Sequence, residues 1–428
     1  MNRQADAENG DVELTVTALG SQGDGVARHE GTPLFVPYTL PGDRVRARRA
    51  GPERALPLAW LERGPGHVTP PCPHFGPGKC GGCALQHLED GLYARWKVES
   101  LATTLERAGL RGFSMLPLAR TPPGARRRAE FLVRAAGRAV TLGFHVRASR
   151  EAVDIGPCPI LTPALERLLA PLRQGFAGLW PRAAFDVLAT SVDSGIELVL
   201  TRAPDADRRV RGALAEFAER QDLSRVALRA GPHAAAEIVV QRRPTQTSFG
   251  GVTVDLPTGG FLQASVEGER AIQQIVLDGI GKAKRVADLY AGSGAITLPI
   301  AASARQVYAA DRSADAIAAL DAGARRGGLG PRVKAEPRDL NRRPLAGDEL
   351  ENFDAVVFDP PREGAAEQAR ALALSSKVKR VVAVSCNPAT FARDAALLIG
   401  GGYRLLSVTP VDQFLWSAHL ELVGVFGR

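Results

Sequence analysis

The sequence predicts a multidomain protein with a small β-barrel, an α+β central domain and a C-terminal doubly wound α/β domain. Residues 11–65 contain short strands and turns without a helical pattern, whereas residues 66–258 mix strands with helices. From residue 259 onwards, short apolar strands alternate with helices, which is typical of a parallel sheet with right-handed crossovers. The chain has 428 residues, which is enough for several domains of ordinary size.

Composition narrows the class of protein. The chain is 45% hydrophobic and 23% charged, as in ordinary globular proteins. No apolar run is long enough to span a membrane, and the polar N-terminus lacks the apolar core of a signal peptide. We therefore expect a cytoplasmic monomer that does not bind membranes, with residues 1–10 as a flexible tail.

The net charge of +8 is concentrated in two arginine clusters. One lies in residues 44–54, and the other places eight arginines against one acid in residues 120–150. Such clusters either form a solvated face or bind a polyanion. Because they occur in separate predicted domains, we favour a nucleic-acid partner.

The barrel is predicted from residues 11–65. Residues 12–16 alternate with a period of two, a glycine-rich turn follows at residues 20–25, and further short strands are expected. They cover residues 34–36, 45–49 and 58–61. This pattern indicates a small barrel of the oligonucleotide-binding type.

Four of the five cysteines form a metal-site pattern. Cys72, Cys80 and Cys83 have the spacing C-x7-C-x2-C, and Cys158 lies in a second glycine- and proline-flanked segment. An odd number of cysteines without an export signal argues against disulfides. Four thiolates suit either zinc or a [4Fe–4S] cluster. The seven-residue gap favours the cluster over zinc, while unrelated reduced cysteines remain the third alternative.

The central and C-terminal elements follow from apolar periodicity. The central domain has predicted helices at residues 92–108, 161–175 and 210–220, and strands at 130–134, 139–144, 196–200, 234–241 and 250–256. The C-terminal domain has predicted helices at 314–325 and 365–374, and strands at 286–290, 307–311, 333–336, 355–359, 381–384, 404–408 and 420–426. In such sheets, ligands bind at the carboxyl ends of the strands.

A cofactor loop follows the first C-terminal strand. Asp288 begins the sequence D-L-Y-A-G-S-G, whose glycines Gly292 and Gly294 allow close approach to a ligand. Asp311 ends the next strand, where an acid accepts hydrogen bonds from a ribose. The third glycine of a dinucleotide motif is replaced by Thr297. We therefore favour S-adenosylmethionine over a dinucleotide.

Two further residues end strands of the same sheet. Asp359 precedes two prolines, which either aim its carboxylate into the cleft or form a turn that it caps. Cys386 follows the apolar run 380–384 and is either a buried structural cysteine or a nucleophile.

Several motifs together resemble the RNA 5-methyluridine methyltransferases, over residues 11–426. The motifs that carry the resemblance lie at residues 288–294, 359–364, 385–394 and 419–421. Residues 23–45 resemble the TRAM domain, an RNA-binding barrel, and the four cysteines resemble the branch that modifies 23S ribosomal RNA. Residues 261–265 resemble the family's Phe-Phe-Gln-x-Asn signature, although Ser265 replaces the asparagine.

The resemblance implies a reaction and its residues. Cys386 would add to C6 of uracil, and Glu421 would remove the C5 proton, with His419 either a helper or structural. Residues 259–428 would form the Rossmann-like methyltransferase domain. The expected cofactor-binding residues are Gln263, Tyr290, Gly292, Asp311 and Asp359. Alternatives are a tRNA loop uridine or a cytosine as the target, or a non-catalytic iron–sulfur RNA-binding protein.

Overall fold

A computed structural model describes residues 10–428, so the tail predicted at residues 1–10 lies outside the described residues except for Gly10. The chain forms two compact units. Among the described residues, the first contains residues 10–101, 142–159 and 414–419, and the second contains residues 102–141, 160–413 and 420–428. Each unit is therefore built from segments that are distant in sequence.

The first unit begins with a five-stranded antiparallel sheet in the order β3-β2-β1-β4-β5. Its strands are β1 Asp11–Leu19, β2 Gly25–His29, β3 Thr32–Val36, β4 Arg44–Arg49 and β5 Ala55–Glu62. Alternate residues of β1 and β4 point inward, and Leu14, Leu34 and Val45 are buried in the core. This sheet confirms the predicted N-terminal β module.

The rest of the first unit packs around a second apolar cluster that includes Leu85, Tyr93 and Leu415. Helix α1 (Asp90–Arg107) starts in this unit and continues into the second. The segment from residue 142 to 159 contains the end of β9 (Ala139–His145) and all of β10 (Ala152–Asp154), which pair antiparallel.

The second unit contains two sheets and a β-hairpin. In the central sheet, the strands β8, β11, β12, β13 and β14 are neighbours in that order. Helix α2 contacts β11, and helix α3 contacts β13. The bounds are β8 Arg128–Ala136, α2 Pro163–Phe176, β11 Arg182–Val192, β12 Gly195–Thr201, α3 Arg208–Arg220, β13 Leu223–Arg229, β14 Ala236–Gln241, β15 Gln246–Phe249 and β16 Val252–Asp255. Strands β15 and β16 form the hairpin.

The C-terminal sheet has the order β19-β18-β17-β20-β21-β23-β22-β6, and β7 also pairs with β22. Strands β17 to β21 are parallel, whereas β23 is antiparallel to both of its neighbours. The bounds are β6 Ser114–Met115, β7 Ala119–Arg120, α4 Val266–Ile280, β17 Arg285–Leu289, α5 Thr297–Ser303, β18 Gln306–Asp311, α6 Ala314–Arg326, β19 Val333–Pro337, β20 Ala355–Phe358, α7 Ala366–Leu374, β21 Arg380–Ser385, α8 Pro388–Gly400, β22 Arg404–Asp412 and β23 Glu421–Gly427. This arrangement confirms the predicted multidomain α/β class.

Buried Asp43 stabilises the first unit. Its carboxylate accepts hydrogen bonds from Leu40 N at 2.9 Å, Trp60 Nε1 at 3.1 Å, Gly64 N at 2.8 Å and His67 Nε2 at 2.8 Å. Burial raises the pKa of this carboxyl, but the hydrogen bonds from His67, Leu40 and Gly64 outweigh it and lower the pKa below its ordinary value. The ionised carboxylate therefore stabilises the unit.

Replacing Asp43 with Ala should lower the free energy of unfolding by about 3–5 kcal/mol, because several buried donors lose a charged acceptor. The contribution of the wild-type carboxylate should be fully present above its unfolded-state pKa and should fall as the pH decreases through the lower folded-state pKa. Denaturant titration monitored by tryptophan fluorescence measures both effects.

The matched control is Asp11→Ala, which removes only the exposed ion pair with Arg48 and should cost less than about 1 kcal/mol. Equal unfolding midpoints for the two variants would contradict the role assigned to Asp43.

Candidate active site

The carboxyl ends of four parallel strands meet at one edge of the C-terminal sheet. Four strands of this sheet lie side by side in the order β18-β17-β20-β21, and each neighbouring pair is parallel. Each strand is followed, or ended, by one of the predicted site residues: Tyr290, Asp311, Asp359 and Cys386. The sheet therefore brings these residues to the same edge.

Glu421 joins this edge from the opposite strand direction. It is the first residue of β23, whose Leu422 pairs with Ser385 at the end of β21. Because β23 is antiparallel to β21, its start lies beside the carboxyl end of β21. The backbone register therefore places Glu421 close to Cys386, although the two are far apart in sequence.

The loop after β17 has a backbone suited to a ligand. Tyr290, Gly292 and Gly294 all have positive φ angles, of 62°, 53° and 96°. A Cβ added to Gly292 would meet no atom within 4 Å, whereas one on Gly294 would lie 2.4 Å from Leu320 Cδ1. Gly292 thus faces open space, while Gly294 is required for packing.

Asp311 fixes the conformation of the same loop. Its Oδ2 accepts a hydrogen bond from Gly292 N at 3.0 Å, and its Oδ1 accepts one from Ser313 N at 2.7 Å. Each carboxylate oxygen retains a second lone pair that can accept a hydroxyl proton. The Tyr290 hydroxyl donates to Asn341 Oδ1 at 3.2 Å, which leaves the tyrosine ring beside the loop.

Asp288 is a buried acid beneath the loop. Burial raises the pKa of Asp288 to about 7, and the charges of Asp359 and Asp311 act in the same direction. Its Oδ2 accepts a hydrogen bond from Thr297 Oγ1 at 2.5 Å, whereas its buried Oδ1 has no partner.

A chain of amides holds Asp359. Gln263 Nε2 donates to Asp359 Oδ2 at 3.1 Å, and Gln413 Nε2 donates to Gln263 Oε1 at 2.7 Å. Gln413 Oε1 in turn accepts from Ala264 N at 3.0 Å. Gln413 was missed by sequence reasoning; the only signal was a polar residue directly after the apolar strand β22.

Arg127 is a second residue that sequence reasoning missed as part of this site. Its backbone N donates to Ala264 O at 2.9 Å, its Nε donates to Gln263 O at 3.2 Å, and it forms a buried ion pair with Glu269 at 2.6 Å. Ser265, which replaces the family asparagine, caps helix α4 by accepting from Gly268 N at 3.0 Å. The segment from residue 263 to 265 is therefore rigidly held.

Cys386 lies in an environment that opposes ionisation. Burial raises the pKa of the Cys386 thiol to about 11, and the charges of Glu421 and Asp359 also raise it. The Arg362 guanidinium lowers it, but does not compensate. Asn387, directly after the cysteine, caps the N-terminus of helix α8 by accepting a hydrogen bond from Ala389 N at 3.0 Å.

The pKa of Glu421 is also raised. Its carboxyl group is desolvated by burial and lies near the charge of Asp359, while Gln413 and Arg362 act in the opposite direction. Oε2 of Glu421 is buried without a hydrogen-bond partner. Glu421 therefore takes up a proton more readily than an exposed glutamate, as a base working near neutral pH requires.

Cys72, Cys80, Cys83 and Cys158 lie in the first unit, whereas Cys386 lies in the second. Burial raises the pKa of the Cys83 thiol to about 12, Gln86 hydrogen-bonds to it, and the other three thiols are near enough to raise it further. Gly82 N donates to Cys80 Sγ at 3.4 Å. Between residues 10 and 428, no group of three or more His, Cys, Asp or Glu side chains meets the geometry expected for holding a metal ion.

The two arginine clusters are only partly available to a polyanion. In the second cluster, Arg127 is buried against Glu269, and Arg147 pairs with the buried Asp24 at 2.7 Å. In the first cluster, Arg48 pairs with Asp11. Arg48, Arg127 and Arg147 already pair with neighbouring acids, so these three are less available to a polyanion than the other arginines of the clusters.

No helix among the described residues is both long and apolar enough to cross a membrane.

Comparisons with known proteins agree with this geometry. Residues 8–48 match the TRAM domain, and residues 333–427 match the tRNA (uracil-5-)-methyltransferase family. An uncharacterized RNA methyltransferase of Rhizobium meliloti is 44% identical over 97% of this chain and 99% of its own length. A relative in Pectobacterium atrosepticum, named 23S rRNA (uracil(1939)-C(5))-methyltransferase RlmD, is 32% identical over 97% of this chain and 93% of its own length.

The fold also matches a solved structure, that of Pyrococcus abyssi tRNA (uracil-54, C5)-methyltransferase in complex with S-adenosyl-L-homocysteine. The TM-score is 0.75 at 20% identity, and the match covers 96% of this chain and 99% of the other. Likeness at this identity shows a shared fold. Together with the full-length relatives and the two matching family models, it shows that the chain belongs to the S-adenosylmethionine-dependent RNA uracil-C5 methyltransferase family.

Proposed function

We propose that this protein transfers a methyl group from S-adenosylmethionine to C5 of a uridine in 23S ribosomal RNA, through a covalent bond between Cys386 and uracil C6. The observation that carries the proposal is the position of Glu421 beside Cys386, at the sheet edge where the glycine loop begins. A nucleophile and a base at one ligand-binding edge are the two groups that this reaction requires.

Uracil C5 is a poor nucleophile, and addition of a thiolate at C6 overcomes this. Cys386 gives its proton to a water molecule, and its Sγ forms a bond to C6 while the electrons of the C5–C6 double bond move into an enolate. The enolate is nucleophilic at C5 and forms the new carbon–carbon bond. When bound, S-adenosylmethionine would supply the electrophilic methyl group and would leave as S-adenosylhomocysteine.

Glu421 completes the reaction by removing the C5 proton. The electrons of the C5–H bond restore the C5–C6 double bond, and the C6–Sγ bond breaks to release Cys386. The raised pKa of Glu421 suits a general base that works near neutral pH. Asp359, held by Gln263, lies close enough to affect the charge of both groups.

The residues of the loop fit S-adenosylmethionine. Gly292 offers backbone beside open space, and Asp311 has free lone pairs for the ribose hydroxyls. Tyr290, Gln263 and Asp359 would complete the cofactor site.

The 23S target is favoured over a tRNA uridine. The Pectobacterium relative that is named for a 23S rRNA uracil is similar over almost its whole length. The solved tRNA enzyme is similar only at 20% identity, so its substrate carries little weight. We propose that residues 11–65 bind RNA, residues 66–258 carry the cysteines and further RNA contacts, and residues 259–428 perform catalysis.

We also propose that Cys72, Cys80, Cys83 and Cys158 bind a [4Fe–4S] cluster. The four thiols influence one another electrostatically, and the Gly82 N–H and Gln86 amide already point at sulfur atoms, as donors around such clusters do. When bound, such a cluster would take one thiolate from each of these four cysteines.

The function is tested by release of tritium from RNA labelled at uracil C5, with 23S rRNA and tRNA transcripts as substrates. Cys386→Ala should reduce the rate at least about 1,000-fold, because no adduct forms. Glu421→Gln should reduce it about 100- to 10,000-fold and should accumulate a protein–RNA adduct that survives denaturant.

Glu367→Gln, which changes an exposed acid of α7, is the matched control and should keep full activity. Normal turnover by Cys386→Ala would disprove the nucleophile. Tritium release from tRNA but not from 23S rRNA would move the target to tRNA.

The electrostatics of the thiol can be tested without RNA. Because the charge of Glu421 raises the pKa of Cys386, Glu421→Gln should lower that pKa and increase alkylation by iodoacetamide at pH 9, about tenfold for each unit by which the pKa falls. Mass spectrometry of the peptide that contains Cys386 measures the rate. An unchanged rate, equal to that of Glu367→Gln, would contradict the placement of Glu421.

Protein purified without oxygen should be brown and contain about four iron atoms per chain. Cys83→Ser should lose the iron and the visible absorbance, whereas Cys386→Ala should retain both because Cys386 lies outside the set. One zinc atom and no iron would replace the cluster with a structural zinc site.

A further inference from the structure

Phe261 is an exposed aromatic residue next to the active site. Its side chain is 65% exposed, and it is the one aromatic among the large apolar side chains that stand out to solvent in the described chain. Its neighbour Leu262 is buried, which fixes the direction of Phe261 away from the core. Exposing a large ring in this way forgoes apolar burial, so a ligand that covers it would gain that contact.

The backbone that carries Phe261 is firmly held. Arg127 binds the carbonyl groups of Gln263 and Ala264, and Gln413 binds Ala264 N. Gln263, two residues after Phe261, donates to Asp359 in the active site. The ring is therefore presented from a fixed segment at the rim of the catalytic site.

Arg128 lies against the same ring. Its Cζ is 5.6 Å from the centroid of Phe261, and its buried Nε has no hydrogen-bond partner. Within the described residues, Arg128 forms no ion pair with an acid, in contrast to the adjacent Arg127. Arg128 is partly exposed, so its remaining guanidinium donors can reach an anion beside the aromatic face.

We propose that Phe261 and Arg128 form a platform on which the RNA base next to the target uridine stacks, with Arg128 binding an adjacent phosphate. This inference rests on the proposed RNA methylation. When an enzyme extrudes a uridine from an RNA stack, the neighbouring base loses a stacking partner. An exposed aromatic ring replaces that partner, and a guanidinium group binds the phosphate beside it.

The test uses the full-length protein and a seven-nucleotide RNA with a central uridine. In two versions of this RNA, 2-aminopurine replaces the base on the 5′ or the 3′ side of the uridine, and stacking on an aromatic ring quenches its fluorescence. Wild-type protein should quench one version on binding. Phe261→Ala should remove the quenching and weaken binding about 5- to 150-fold, whereas Phe261→Trp should keep both.

Arg128→Gln should weaken binding and reduce the dependence of log affinity on log salt by about 0.7, the value for one phosphate contact to a single strand. Leu374→Ala is the matched control, because Leu374 is a 90% exposed apolar residue of α7, and it should change neither quantity. In the tritium assay, Phe261→Ala should raise KM more than it lowers kcat.

Two results would overturn the platform: no quenching of either RNA by wild-type protein, or wild-type affinity and quenching in Phe261→Ala. Loss of affinity in Arg128→Gln alone would reduce the surface to a phosphate contact and also count against stacking. Failure of the proposed function gives a different result, because the protein would then quench and bind the RNA without releasing tritium from uridine.

Discussion

The direction of the strands in the C-terminal sheet determines the arrangement of the candidate active site. Parallel strands β17, β18, β20 and β21 end at one edge, and the antiparallel β23 begins there. Cys386 and Glu421 are therefore brought together by the backbone hydrogen bonds between β21 and β23, which depend little on the site side chains. Side-chain changes in the site can thus alter its chemistry while the position of its main chain is preserved, which is the usual advantage of building a site on a rigid sheet.

The burial and the negative charges of the site raise the pKa of the Cys386 thiol. Cys386 shares a poorly solvated space with Asp359 and Glu421, and each negative charge there opposes the formation of a thiolate. Thiolates are the form of cysteine that oxidants and electrophiles attack. The raised pKa of the Cys386 thiol therefore opposes its reaction with oxidants and electrophiles. Arg362 is the nearby cation that already favours ionisation.

Sequence patterns predicted the strands and loops that carry local signals. Short apolar runs located most strands of the C-terminal sheet, and the glycine loop located Tyr290 and Gly292. Strands β11 and β13 were missed, since their positions depend on pairing with β8 and β12 rather than on a distinctive local pattern. The roles of Gln413 and Arg127 were also missed. Their hydrogen-bond partners in residues 263–264 lie at least 149 residues from Gln413 and at least 136 residues from Arg127. Contacts of this kind are set by the tertiary fold alone.

These long-range contacts all reach residues 261–265, so distant parts of the chain hold this short segment in place. Arg127 and Gln413 form hydrogen bonds with the backbone of this segment. The Gln263 side chain donates to Asp359, and Ser265 caps helix α4. A buried polar network whose members are all paired favours one arrangement over its alternatives, because any shift would leave several groups unsatisfied. Ser265 supplies the oxygen that caps the helix, so a serine serves here where the family has an asparagine, since both are favourable N-cap residues. The segment therefore couples the start of a helix to the orientation of Asp359 by direct hydrogen bonds.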